Sequence, residues 1–263
     1  PVIPHSVVWP HLPKLDGTDT HVYFGWYHGE ERDLPRFLGL VPRMARFVTE
    51  FGAQAIPDWV GECDDDALEA LGAQLRNFER YVPRAASASF DDWRAATQAY
   101  QARLVRRHIE ELRRLKYRPT GGFAQFCLAD GAPRISWSVV DHERRPKLGH
   151  AALRAACAPV IVVADRLPAS MRAGEPAALD VHVVSDLRRP LPALECTATL
   201  SWPGGAHRWR FEGDVDADSC ARVGTLQFEA PADAGPLALD LELTGAALGG
   251  GPVRNRDETL VIA

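Results

Sequence analysis

Glu50 is the residue whose type and position point most directly to chemistry. It follows Ala45-Arg46-Phe47-Val48-Thr49, a run that reads as a short buried strand over 46–51. Catalytic carboxylates in (β/α)8 barrels stand at the C-terminal ends of parallel strands. An unpaired carboxylate buried there costs several kcal/mol or shifts its pKa, so a Glu at that place needs a reason. Two reasons stay open on the pattern: catalysis, or an ion pair with Arg43 or Arg46. Asp130 ends another candidate strand, 122–128, and Trp137 stands just beyond it, where an aromatic wall suits the flat face of a sugar ring. His21 and His28 flank Trp26, a set able to hydrogen-bond hydroxyls and stack on a pyranose. Taken singly, each of these residues also fits a packed core.

The elements that must position these residues change character near residue 160. Before it, strands are expected at 20–27, 46–51 and 122–128, with helices at 64–79, 90–116 and 147–157. The first helix opens on Asp64-Asp65-Asp66, which suits the positive end of a helix dipole, and is striped by Leu68, Leu71, Leu75 and Phe78. The second carries Leu104, His108, Leu112 and Leu115 on one face, with Arg106, Arg107, Arg113 and Arg114 mostly off it as a solvated face. Strand–helix alternation of this kind predicts a parallel α/β arrangement. No glycine-rich phosphate loop or dinucleotide fingerprint follows any strand. Beyond residue 158 the pattern turns to period two, as in Leu237, Leu239, Leu241 and Leu243, with turn clusters such as Pro203-Gly204-Gly205 between. Strands are expected near 158–163, 177–185, 194–202, 207–212, 222–229, 236–244 and 258–262. Such a series predicts an immunoglobulin-like sandwich. It reads as a structural buttress, or as a carbohydrate-binding module using Trp202 or Trp209.

Composition narrows the class. The chain has 263 residues, 46% of them hydrophobic and 25% charged, ordinary for a globular protein of about two domains. No apolar run reaches the roughly 20 residues of a membrane helix, so no membrane partner is expected. A formal charge of −5 without a basic face argues against a nucleic-acid partner. Five scattered cysteines without a CxxC pair argue against a disulfide scaffold or a zinc ribbon, and favour the cytoplasm. The first residue is Pro1 and no leader-like pattern follows it, so the chain is expected to begin inside a longer protein.

The same residues resemble a known family. Asp19-Thr20-His21-Val22-Tyr23 followed by Phe47-Val48-Thr49-Glu50-Phe51-Gly52-Ala53-Gln54 is similar to the segment around the nucleophile of family 2 glycoside hydrolases, in the β-mannosidase-like branch. A second block agrees in order and spacing: Asp130, Pro133, Ser136-Trp137-Ser138, Asp141, Lys147 and Ala158-Pro159-Val160. The resemblance spans about residues 15 to 165. It implies that 1–157 is the C-terminal portion of a TIM-barrel catalytic domain and 158–263 an immunoglobulin-like domain. It further implies that Glu50 is the nucleophile of a retaining β-glycosidase acting on a β-linked terminal sugar, with Thr49 in place of the usual Ser. Trp26, His28, Asp130 and Trp137 would then lie at the substrate. Two carboxylates suffice for this chemistry, so no metal or organic cofactor is expected.

Two departures carry consequences. The family strand reads Trp-Gln-Leu-Asn-Asp where this chain reads Phe126-Cys127-Leu128-Ala129-Asp130, which alters the floor of the site. An exo-β-glucosaminidase or another specificity of the family is therefore the alternative within enzymes. The family's acid/base Glu follows an Asn upstream of the nucleophile, whereas the acidic residues upstream of Glu50 are Asp16, Asp19, Glu30, Glu31 and Asp33, none after an Asn. A barrel takes about 250 residues, and three strands cannot close an eight-stranded ring. The chain is thus expected to be an incomplete barrel plus sandwich that needs the missing N-terminal part of the same protein. Otherwise it is a non-catalytic fragment that binds carbohydrate or a subunit.

Overall fold

Mixed short strands and helices fill the chain up to Cys157, and period-two strands fill the rest. The computed structural model describes residues 19–263 and separates into two units, one ending at Cys157 and the other running Ala158–Ala263. Asp16 and the start of the resemblance at residue 15 lie outside the described residues.

The first unit is organised around a three-stranded parallel sheet: β1 (Thr20–His21), β2 (Phe47–Glu50) and β3 (Gly122–Phe123), in the order β1-β2-β3. Thr20 pairs with Val48, His21 with Glu50, and Phe47 and Val48 with Gly122 and Phe123. Main-chain bonds beyond the strands prolong the pairing, from Val22 N–H to Glu50 O at 2.8 Å and from Phe126 N–H to Phe51 O at 3.0 Å. Among the described residues five α-helices accompany the sheet: α1 (Leu34–Leu40), α2 (Asp65–Ala70), α3 (Leu75–Tyr81), α4 (Phe90–Arg114) and α5 (Leu148–Ala156). Helix α4 begins where the Ser89 hydroxyl accepts the Asp92 N–H, with Asp91 and Asp92 in its first turn and Arg113 and Arg114 in its last, as the helix dipole favours. Its Val105, Ile109 and Leu112 form one core with Val48 and Phe51 of the β2 segment and with Leu34, Leu38 and Met44. Full burial of each such side chain contributes about 1.5–3 kcal/mol.

Three expected elements change. The strand at 20–27 stops at His21, because Gly25 takes φ +83° and the chain folds back so that Tyr23 O accepts from Trp26 N–H and Tyr27 N–H. A Cβ at Gly25 would stand 2.8 Å from Leu104 Cδ1, so a side chain there is excluded on two counts. The helix at 64–79 is two helices: Asp64 caps α2, and Gly72 at φ +94° ends it before α3 begins. The strand at 122–128 is regular only over Gly122–Phe123, beyond which single main-chain bonds from Ala124 N–H to Val48 O and from Phe126 N–H to Phe51 O continue it. Helix α1 was not expected, its periodicity being hidden by Pro35 and Gly39.

The second unit is built from β4 (Val160–Ala164), β5 (Met171–Arg172), β6 (Pro176–Ser185), β7 (Leu191–Trp202), β8 (Gly205–Val215), β9 (Cys220–Glu229), β10 (Gly235–Thr244) and β11 (Val253–Ile262). They form two sheets, β5-β11-β10-β7-β8 and β4-β6-β9, antiparallel except for the β5–β11 pair. Val181, Val183 and Leu226 of one sheet share a core with Ala198, Leu200, Leu239 and Leu241 of the other, the arrangement of a β-sandwich.

Candidate active site

Glu50 is the last residue of β2, the central strand of the parallel sheet. The chain turns away directly after it, because Gly52 holds φ +152° and passes under Phe126; a Cβ there would lie 2.6 Å from the Phe126 carbonyl oxygen. Only glycine fits that approach. Thr49, beside Glu50, donates its hydroxyl to Asp19 Oδ2 at 2.5 Å, which ties β2 to the segment entering β1.

The Glu50 side chain is 31% exposed and borders a cavity of about 530 Å³. The other lining residues are His21, Tyr23, Tyr27, His28, Phe126 and Trp137. That volume lies in the range of small-molecule sites. Tyr23 Oη donates to Glu50 Oε2 at 2.9 Å, and His21 Nδ1 stands 3.2 Å from the same oxygen. Burial, and then the Glu50 charge, push the Tyr23 pKa well above the ordinary phenol range, so Tyr23 keeps its hydrogen and acts as a donor. Glu50 therefore does not pair with Arg43 or Arg46, and among the described residues its Oε1 accepts no hydrogen bond. A carboxylate with one oxygen held and the other open to an aromatic cavity can attack an electrophilic carbon or take a proton.

Tyr27 lies 5.1 Å from Tyr23 and 6.2 Å from Trp137, and Phe126 lies 5.8 Å from Trp137, centroid to centroid. Tyr27 and Phe126 remain partly exposed within this concave aromatic wall. A wall of that kind suits a partly apolar ring. Among the described residues no lysine or arginine lines the cavity, and Glu50 is the single acidic residue that does.

Of the residues singled out in the sequence, the structure brings Glu50, His21, His28 and Trp137 to the cavity and sets two behind it. Trp26 is 1% exposed, stacked on Tyr81 and edge-on to Phe78, with Nε1 donating to Gln74 Oε1 at 2.8 Å. Asp130 is 7% exposed and accepts from the hydroxyls of Ser136 at 2.5 Å and Ser138 at 2.6 Å. These two residues hold the wall and do not line it. Glu30 pairs with Arg80 and Glu31 with Arg103, and neither borders the cavity.

The residues that sequence reasoning missed are the ones that fix the wall. Gln101 of α4 is buried and directs Nε2 at Ala53 O (2.9 Å), Ser138 O (3.1 Å) and Trp137 O (3.2 Å), linking the chain after Glu50 to the chain around Trp137. Lys147 is 3% exposed, with Nζ donating to Ala55 O at 3.3 Å and Ser136 O at 3.4 Å. Burial pulls its pKa down to about 8, against the opposing pull of Asp130, Cys127 and Asp141. Nothing in the local pattern distinguishes a buried Gln on a helix, or a buried Lys just before one, from a solvated one. Among the described residues no cluster of His, Cys, Asp and Glu could hold a metal, and no helix is long and apolar enough to cross a membrane.

No protein-family model matches the chain, and no curated protein matches it. Solved structures do. The β-D-mannosidase from Dictyoglomus thermophilum superposes on 92% of this chain and 30% of its own, with a TM-score of 0.71 and 17% identity. The exo-chitosanase of Amycolatopsis orientalis matches 82% of this chain and 28% of its own, with a TM-score of 0.64 and 16% identity. The same protein, described as an exo-β-D-glucosaminidase with a glucosamine-configured castanospermine inhibitor, matches 81% of this chain and 27% of its own at a TM-score of 0.63 and 17% identity. At these identities the likeness is one of fold, and the chain spans about three-tenths of the length of these enzymes. It carries the fold of part of a glycoside hydrolase of the β-mannosidase and exo-β-glucosaminidase kind.

Proposed function

We propose that this chain is the nucleophile-bearing portion of a retaining β-glycosidase, β-mannosidase-like, in which Glu50 forms a covalent glycosyl ester. The observation that carries the reading is the position of Glu50: the end of the central parallel strand, Oε2 held by Tyr23 and His21, Oε1 open to an aromatic cavity. In this reading the first unit supplies the last strands of a (β/α)8 barrel, where catalytic groups sit at C-terminal strand ends. The sandwich is its immunoglobulin-like neighbour. Glu50 Oε1 attacks the anomeric carbon while the glycosidic oxygen departs. Water then attacks the same carbon, and the carboxylate leaves as the sugar is released.

A second carboxyl, about 5–5.5 Å from the first, protonates the departing oxygen and later activates the water. Asp130, Glu30 and Glu31 are engaged elsewhere, so this group is assigned to a part of the same protein outside the described residues. Trp137 and His28 contact the sugar in the cavity, and Trp26 and Asp130 act by holding the wall. The terminal sugar has the β-manno configuration, with β-glucosaminide as the alternative that the exo-chitosanase likeness brings in.

The test is Glu50→Gln in the polypeptide that carries this chain. The amide keeps the shape but cannot form the ester, so turnover of an aryl β-mannoside should fall by at least about 10⁴-fold with unchanged thermal unfolding. A stable variant with wild-type turnover would place the chemistry elsewhere.

A further inference from the structure

The donor and acceptor roles around Tyr27 follow from the atoms involved. Trp26 Nε1 can only donate, so the Gln74 atom that receives it at 2.8 Å is the amide oxygen. Asn77 Nδ2 donates to that same oxygen at 2.9 Å. The Gln74 amide nitrogen therefore faces Tyr27, and it donates to Tyr27 Oη at 2.7 Å. The phenol oxygen is the acceptor of that bond, which leaves its own hydrogen for another partner. Burial raises the Tyr27 pKa above the ordinary phenol value, so the hydrogen stays on the oxygen.

Gln74 is itself fixed. Its backbone N–H donates to Gln54 Oε1 at 2.8 Å. Gln54 is buried and directs its Nε2 at the carbonyls of Gly72 (2.9 Å) and Ile135 (3.4 Å). A relay thus runs from the buried Gln54 through the half-buried Gln74 to a phenol that lines the cavity holding Glu50 and is 46% exposed.

We propose that Tyr27 is a specificity-determining residue of this cavity, donating its phenolic O–H to one oxygen of the bound sugar, and that Gln74 is the positioning residue that makes it a donor. The inference rests on the reading of the cavity as a sugar site. Because Gln74 already fills the acceptor role of Oη, the group recognised is an acceptor, the oxygen of one sugar hydroxyl, and not a protonated amine. A site built to bond a substrate oxygen discriminates against the analogue that lacks it.

The test measures binding of methyl β-D-mannopyranoside and its monodeoxy analogues to the polypeptide that carries this chain, as wild type, Tyr27→Phe and Gln74→Glu. Tyr27→Phe keeps the ring and deletes the donor. In Gln74→Glu the carboxylate still accepts from Trp26 and Asn77 and also takes the Tyr27 hydrogen, turning it away from the cavity. Both variants should bind the parent glycoside about 5–10-fold more weakly, with unchanged thermal unfolding. One monodeoxy analogue should bind wild type and both variants equally, which identifies the oxygen recognised. Variants that match wild type on the parent, or that lose every analogue by the same factor, would overturn the role of Tyr27 while leaving the sugar site standing. A wild-type protein that binds none of these glycosides would remove the sugar site and Tyr27's role with it.

Discussion

The two units hold their shape by different means. In the sandwich, main chain pairs with main chain over long stretches: β10 runs from Gly235 to Leu243 in unbroken register against β11, and its other edge pairs with β7. Among the described residues of the first unit no strand exceeds the four residues of β2. The segments around Glu50 are joined instead by side chains that reach main-chain carbonyls, namely Gln54, Gln98, Gln101 and Lys147. A long antiparallel ladder spreads its stability over many similar bonds. The site-bearing unit concentrates it in a few polar groups and glycines, which frees the strand end and the loops to form a cavity. Single substitutions should therefore act very differently in the two units.

Two glycines give the first comparison, one packed beneath the site and one in an open turn of the sandwich. Gly52→Ala forces a Cβ against the Phe126 carbonyl at φ +152° and should destabilise the first unit by about 3 kcal/mol or more. Gly250→Ala in the sandwich meets open space and should stay within about 0.5 kcal/mol. Denaturant unfolding of both variants measures the difference, and equal losses would erase the contrast.

Lys147 extends it to pH. Its folded pKa of about 8 lies below the ordinary 10.5, so the buried ammonium weakens the fold at neutral pH. As pH rises from about 8 to 10.5 the folded form loses this proton before the unfolded form does. The unfolded state then binds more protons, and stability rises with pH. Relative to Lys147→Met, which has no such charge, the wild type should gain about 3 kcal/mol across that window. A flat difference curve in urea unfolding would mean that the amine is not buried as described.

Smaller effects follow for neutral and surface groups. Gln101→Leu leaves the carbonyls of Ala53, Trp137 and Ser138 without that donor and should cost about 2 kcal/mol, whereas Thr197→Val on β7 should change stability by less than about 0.5 kcal/mol. Arg256 bridges Asp240 and Glu258 on the open face of β11, and Arg256→Ala should cost less than about 1 kcal/mol, shrinking further in 1 M salt. A loss at Arg256 as large as that at Gln101 would contradict the division between buried polar joints and solvated charge.

The same contrast explains what the sequence made legible. Leu237, Leu239, Leu241 and Leu243 alternate on a sheet with one buried face, so period two finds β10. The first half of β11, Val253 to Asp257, escapes because Arg254, Asn255, Arg256 and Asp257 carry polar partners in place of an apolar stripe. In the first unit Glu50 is legible because a carboxylate closing an apolar strand is chemically odd. Trp26 and Asp130 stand out by type but sit behind the wall, since composition cannot say which way a side chain faces. Tyr23 passes unremarked as a ligand of Glu50 because the return of the chain at Gly25, which helps set it there, depends on φ +83° and on the close approach of Leu104. Gln74 and Gln101 leave no trace, and Gln54 shows only as a motif letter, because their partners, a phenol and an indole for Gln74 and carbonyls for the other two, lie far away in the chain.

The most direct measurement is of covalent capture. A 2-deoxy-2-fluoro-β-mannosyl donor with an activated leaving group needs little acid assistance to form the ester and hydrolyses slowly afterwards, so the adduct can be mapped by proteolysis and mass spectrometry. The polypeptide that carries this chain should gain one fluorosugar per molecule, on the peptide containing Glu50, and Glu50→Gln should gain none. An adduct on a different carboxylate, or turnover of β-mannosides with Glu50 never labelled, would contradict the assignment of Glu50 as nucleophile.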